Sequence, residues 1–157
     1  MYTFNSAMLA LAFGSAALSF PAVAADHQVQ MLNKGPDGET MAFDPAFLRI
    51  QPGDTVTFLP TDNGHNSESI KGMIPEGAEG WKGKINQEIT VTFAQEGVYG
   101  YKCLPHFGMG MIGLIHVGEN AANLGEAQSA KLPNKAAERF EPLFVQAETD
   151  AAAAPPQ

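Results

Sequence analysis

The amino-acid sequence predicts an all-β domain, a sandwich or barrel of short strands, with two helices appended at its C-terminal end. Three observations carry this. VTF at 56–58 and ITVTF at 89–93 alternate apolar residues with threonine, the period-two signature of half-buried strands. Asp37-Gly38, Pro52-Gly53-Asp54 and Glu96-Gly97 punctuate the stretches between such runs with turn chemistry. After Val117 the composition becomes alanine-rich and helix-favouring.

The elements follow in chain order. Residues 7–20, AMLALAFGSAALSF, form an apolar run too short to span a bilayer comfortably, followed by Ala22-Val23-Ala24 as a small-x-small cleavage site and then by the first charge, Asp26. Residues 1–24 are therefore expected to be an export signal, leaving a mature chain from Ala25. Strands are expected at 28–32, 47–50, 56–58, 89–93, 98–103 and 112–117. Their number and spacing imply an antiparallel sandwich or barrel over 25–117. Residues 118–149 are expected to form a helical extension. It comprises a short helix over Ala121–Ala130 and a second from Pro133, with Ala136, Phe140, Leu143 and Phe144 on one face. Pro142 is expected to kink or end that second helix, because its ring removes a donor and crowds the preceding turn. Residues 150–157, DAAAAPPQ, read as a disordered tail.

Composition narrows the function. A net charge of −8 argues against nucleic acid as the partner and leaves small molecules, metals or proteins. The single cysteine, Cys103, excludes an internal disulfide. No segment after the signal is apolar enough to enter a membrane.

Cys103 sits at the end of a strand run, in YKCLPHFGMGM at 101–111, with His106 and Met111 in the same loop. TDNGHNSE at 61–68 places His65 in a polar turn after another strand. Taken singly, Cys103 is a small buried hydrophobe, His106 a surface turn residue and Met111 core filler. Taken together, two imidazoles, a thiol and a thioether at strand ends of one sandwich can converge on one pole. Zinc prefers closed nitrogen and sulfur sites, and methionine serves it poorly. Copper cycling between Cu(I) and Cu(II) is suited by two imidazoles and a thiolate with a weak thioether. A nucleophilic cysteine with a histidine base is the competing chemistry.

The residues also carry a resemblance. MLNKG (31–35), PGDTVTF (52–58), GHN (64–66), IKGMIPEGAE (70–79), GVYGYKC (97–103) and PHFGMGMIG (105–113) resemble the type 1 blue-copper proteins of the cupredoxin family, in particular its pseudoazurin branch. The similarity runs from about Ala25 to Phe140. It implies a cupredoxin-like Greek-key β-sandwich with two C-terminal α-helices, one copper ion per chain, and His65, Cys103 and His106 as equatorial ligands with Met111 axial. It further implies that Asn66 ties its loop to the cysteine loop, that Pro105 stiffens the latter, and that Met41 packs near the second histidine.

The implied function is that of a periplasmic one-electron carrier, not an enzyme. It would be a monomer that donates to a copper-containing nitrite reductase or another terminal reductase, or exchanges electrons with a c-type cytochrome. Docking is expected at the His106 face, among Pro105, Phe107, Gly108, Met109 and Gly110, with Lys34, Lys71, Lys82, Lys84 and Lys102 steering acidic partners. Copper storage or delivery is the alternative from another class, though the methionines after the signal form no Met-x-x-Met cluster. A cysteine hydrolase built on Cys103 and His106 lacks an oxyanion-hole motif or an orienting third group. His27 is expected to be solvated and His116 structural.

Overall fold

In the computed structural model, which describes residues 23–153, the strand-forming segments build two four-stranded sheets. The expected signal falls almost wholly outside the described residues, as do positions 154–157 of the expected tail. The strands are β1 (Asp26–Lys34), β2 (Thr40–Asp44), β3 (Phe47–Ile50), β4 (Thr55–Leu59), β5 (Glu68–Ser69), β6 (Ile89–Thr92), β7 (Gly97–Lys102) and β8 (Ile112–Val117). One sheet has the order β2-β1-β4-β6 and the other β3-β8-β7-β5.

The sandwich is mixed, which corrects the antiparallel expectation. β1 runs parallel to β4, from Asp26 opposite Thr55 to Gln30 opposite Leu59, and β3 runs parallel to β8, from Phe47 opposite Leu114 to Ile50 opposite Val117. The reason is that side-chain alternation reports which face of a strand is buried, not the direction of its neighbour. β2 and β5 lie outside the expected strands. β5 is two residues long, and β2 contains Met41 at φ 54, a left-handed conformation that breaks any clean alternation.

The inner faces meet in a core of Val29, Met31, Val56, Phe58, Phe93, Tyr101, Ile115 and Val117, all at or near zero exposure. Tyr101 anchors it, edge-on to Phe43 at 4.8 Å and to Phe58 at 5.1 Å between ring centroids.

Every residue of β8 is buried, because its outer face is covered too. That cover is supplied by α1 (Leu124–Gln128) and α2 (Asn134–Ala152), whose Leu124, Ala127, Ala136, Phe140, Phe144 and Ala147 pack against Val98, Ile112 and Leu114. Phe140 is fully buried, and burial of such a side chain contributes about 1.5–3 kcal/mol. Of the two outcomes expected for Pro142, a kink or an end, the end does not occur. Pro142 stands on the exposed side of the helix, where the carbonyl freed four residues earlier, on exposed Glu138, is within reach of solvent, while the buried stripe continues to Ala147. The helix also runs through Ala152, into the stretch read from sequence as tail. Alanine is the best helix former, and Ala153 N–H still bonds to the Thr149 carbonyl at 3.1 Å.

Candidate metal centre

Two loops at one end of the sandwich supply the donors. His65 lies between β4 and β5, and Cys103 and His106 lie in the turn from β7 to β8, which Met111 closes. That turn is held by its own backbone. Cys103 N–H donates to the Met111 carbonyl at 3.0 Å, and the His106 carbonyl accepts from Met109 at 3.0 Å and Met111 at 3.2 Å. A short 3-10 turn over Phe107–Met109 takes up the slack before Gly110.

Nδ1 of His65 and Nδ1 of His106 are 3.1 Å apart, and Cys103 Sγ lies 3.7 Å from the first and 3.5 Å from the second. A point equidistant from three atoms so separated lies about 2.0 Å from each, the distance at which imidazole nitrogen binds a transition metal and slightly short of that for thiolate sulfur. His65, Cys103 and Met111 are each 0 % exposed, and His106 is half-buried. No carboxylate joins His65, Cys103 and His106 in this cluster. Nitrogen, thiolate and thioether donors without carboxylate fit a soft metal that changes oxidation state, so copper suits the residues present.

The electrostatics argue against an activated nucleophile. Burial pushes the Cys103 thiol above its ordinary pKa and nearby Glu68 adds to this, while N–H bonds from the Asn66 and His106 backbone pull it back. An activated nucleophile needs the opposite shift and access to substrate. Burial, and then the neighbouring His106, hold the His65 imidazole below its ordinary pKa against the opposing charge of Asp62, which keeps a lone pair free for a metal.

The supports of the site are only partly those expected. Asn66 does tie the loops, its Oδ1 accepting the Leu104 N–H at 2.7 Å while its amide donates to the Gly83 carbonyl at 3.1 Å and to Glu68 at 3.2 Å. Met41 is half-buried against the core cluster that contains Cys103 and Met111. Asn33 escaped the sequence reading as a support. Its Oδ1 lies 3.0 Å from His65 Nε2, and the only hint was its place in MLNKG. Glu68 was missed as well; buried, it takes Lys102 at 3.5 Å. Two histidines lie away from the site. His27 is not simply solvated but pairs with Asp54 at 2.9 Å, and His116 is fully buried in β8.

A model of copper binding proteins of the plastocyanin/azurin family matches residues 29–118. The pseudoazurin of Paracoccus pantotrophus is 50 % identical over 143 residues, covering 91 % of this chain and 98 % of its own. Among solved structures, a pseudoazurin from Sinorhizobium meliloti is similar with a TM-score of 0.77 at 55 % identity, over 80 % of this chain and 98 % of that one. The pseudoazurin of Methylobacterium extorquens AM1 gives 0.74 at 50 % identity, over 77 % and 98 %. With the family match spanning both sheets and the donor loop, and the relatives extending it over the helices, the chain belongs to the copper-binding plastocyanin/azurin family, the cupredoxins, in its pseudoazurin branch.

Proposed function

We propose that this cupredoxin is a soluble periplasmic one-electron carrier, in which His65, Cys103, His106 and Met111 would hold the copper. It would donate to a copper-containing nitrite reductase or another terminal reductase. The observation that carries this reading is the convergence of two imidazole nitrogens and one thiol sulfur within 3.1–3.7 Å, with a buried methionine closing the same loop.

Copper in such a donor set supplies a one-electron couple whose two states share nearly one geometry. The chain keeps the donors from moving. Asn33 fixes the His65 ring, Asn66 bolts one loop to the other, and Pro105 stiffens the cysteine loop by fixing its own φ and removing a backbone donor. Burial of His65 and Cys103 excludes water, leaving the half-buried His106 ring as the route to the surface.

Around His106, Leu104 and Met109 are 49 % and 47 % exposed, a small apolar surface suited to brief docking of a redox protein. Lys34, Lys71, Lys82 and Lys84 are exposed and free to steer an acidic partner, whereas Lys102 is engaged by Glu68. Residues 1–24 act, in this reading, as the export signal. Cleavage before Ala25 would turn its nitrogen, 2.8 Å from Asp54 Oδ1, into an α-ammonium on that carboxylate.

The visible spectrum of the copper-loaded protein tests the ligand set. The wild type is expected to show the intense blue thiolate-to-copper band and Cys103→Ser to lose it, because an alcohol oxygen cannot supply that transition. A serine variant that stays blue removes Cys103 from the site.

A further inference from the structure

Arg139 reaches from α2 to the far side of the donor loop. One Nη donates to the Met41 carbonyl at 3.0 Å and to the Gly110 carbonyl at 2.9 Å. The other donates to the Thr40 carbonyl at 3.0 Å and to the Glu39 carboxylate. All four Nη hydrogens are thereby used, on two segments of chain far apart in sequence. The side chain is 16 % exposed.

Both segments adjoin the metal centre. The Gly110 carbonyl belongs to the peptide unit that leads into Met111, and Met41 packs against the cluster containing Cys103 and Met111. Both residues also adopt backbone conformations that need outside support or a special residue. Met41 has φ 54, which a side chain disfavours. Gly110 has φ +82, and a Cβ there would come within 2.8 Å of Arg139 Cδ and 2.9 Å of Lys135 Cγ. Glycine is thus required at 110 both by the left-handed turn and by the closeness of α2.

We propose that Arg139 is a positioning residue for the axial side of the copper site: its guanidinium fork fixes the Gly110–Met111 peptide relative to Met41, so the C-terminal helix sets where the thioether stands. This rests on the ligand set proposed above. A planar fork is needed because it presents paired donors in fixed directions; a lysine ammonium is a point charge that cannot span the same carbonyls. Arg139 never touches the metal and acts only through the loop.

The test compares Arg139→Met and Arg139→Lys with Phe144→Leu, which loosens α2 elsewhere and leaves the fork intact. In Arg139→Met the ratio of the two thiolate-to-copper bands and the reduction potential are expected to shift, and copper affinity by chelator competition to fall about tenfold. Arg139→Lys should fall between, and Phe144→Leu should lower the unfolding midpoint with an unchanged spectrum. In the copper-free protein, the Met41 and Met111 amide resonances should move together in the Arg139 variants. A blue wild type whose Arg139 variants keep its band ratio, potential and affinity overturns this inference alone. So does a Phe144→Leu spectrum altered as much as theirs. A wild type with no blue band overturns the ligand set and, with it, this role. If Arg139→Met fails to fold, Arg139→Lys decides on the same readouts.

Discussion

The amide oxygen of Asn33 lies 3.0 Å from Nε2 of His65, so the far side of this buried ring has a fixed acceptor. Accepting a hydrogen there places the proton on Nε2 and leaves the Nδ1 lone pair facing Cys103 and His106. The Asn33 backbone N–H is itself pinned by Asp62 at 2.7 Å, so the end of β1 and the His65 loop are locked together. Asn33→Ala is expected to weaken copper binding by about tenfold, at the low end for such supports because Asn33 is exposed and water can replace its oxygen. Asn33→Asp should make the imidazole a stronger donor, favour Cu(II) and lower the reduction potential. Chelator competition and voltammetry check both; an unchanged affinity and potential would show that the loop alone orients His65.

The five lysines expected to steer partners are not equivalent. Lys102 Nζ sits 3.5 Å from Glu68 and 4.6 Å from the centroid of the Phe107 ring, so its charge is spent within the molecule. Alanine at Lys34, Lys71, Lys82 or Lys84 should slow association with an acidic redox partner at low salt and flatten the salt dependence, since exposed charges act through a screened field. Lys102→Met combined with Glu68→Gln, which removes both charges of the pair, should leave the salt slope nearly unchanged, whereas Lys102→Ala alone should destabilise the fold by leaving buried Glu68 without its cation. Stopped-flow rates across an ionic-strength series distinguish the behaviours, and a slope for the double variant as flat as that of Lys34→Ala would contradict the assignment.

The donor set was legible in the sequence because soft side chains are rare and their loop is local. Cys103, His106 and Met111 fall within nine residues, and only His65 had to be brought in from another turn. Of the supports, Asn66 was reached through the resemblance, whereas Asn33 and Arg139 were not legible, because their spacing carries no period. Asn33 reaches His65 across 32 positions, and Arg139 reaches Met41 across 98. Strands with clean alternation, such as β4 and β6, were visible for the same local reason. β2 was hidden by the left-handed Met41, and the parallel pairings of β1 and β3 depend on neighbours distant in the chain. The persistence of α2 through Pro142 is likewise tertiary, since its buried stripe outweighs one missing backbone bond.

Asp54 gives the protein an acid limit independent of copper. It accepts the Ala25 N–H at 2.8 Å, the Gln51 N–H at 2.9 Å and His27 Nε2 at 2.9 Å. These bonds, Ala25's foremost, then those of Gln51 and His27, hold its carboxyl below the ordinary range against a smaller opposing effect of burial. With the folded pKa depressed, the unfolded chain takes the proton first. The stabilisation is therefore complete above the unfolded value of about 4 and is lost as pH falls from there through the folded value. Asp54→Ala is expected to cost about 1–3 kcal/mol at neutral pH and to remove that part of the acid slope. Denaturant titrations of the copper-free protein from neutral pH to about pH 2.5 measure it, and parallel curves for the two proteins would exclude Asp54 as the source.

His116 should impose a second, milder pH dependence from inside the helix-covered layer. It is fully buried in β8, on the same side of the strand as Ile112 and Leu114, which pack under the helices. Neither ring nitrogen has a hydrogen bond of good geometry among the described residues, the Asn120 backbone offering only a weak contact. Burial, and then the charge of Arg49 opposite it on β3, hold the imidazole below its ordinary pKa; Asp150 of α2, the Asn120 backbone and Glu96 act in the other sense. A histidine lowered by folding is protonated first in the unfolded chain. Its neutral form is no burden above the ordinary value of about 6.5, and stability is lost as pH falls below that toward the folded value. His116→Leu is therefore expected to be neutral or stabilising at pH 7, because an apolar group of similar size replaces buried nitrogens, and more clearly stabilising at about pH 5.5. The comparison is best made as a difference between the unfolding free energies of the two copper-free proteins, since His65 and His106 are common to both and cancel. A difference that stays constant across this range would mean that the His116 ring titrates in the fold as it does in the unfolded chain.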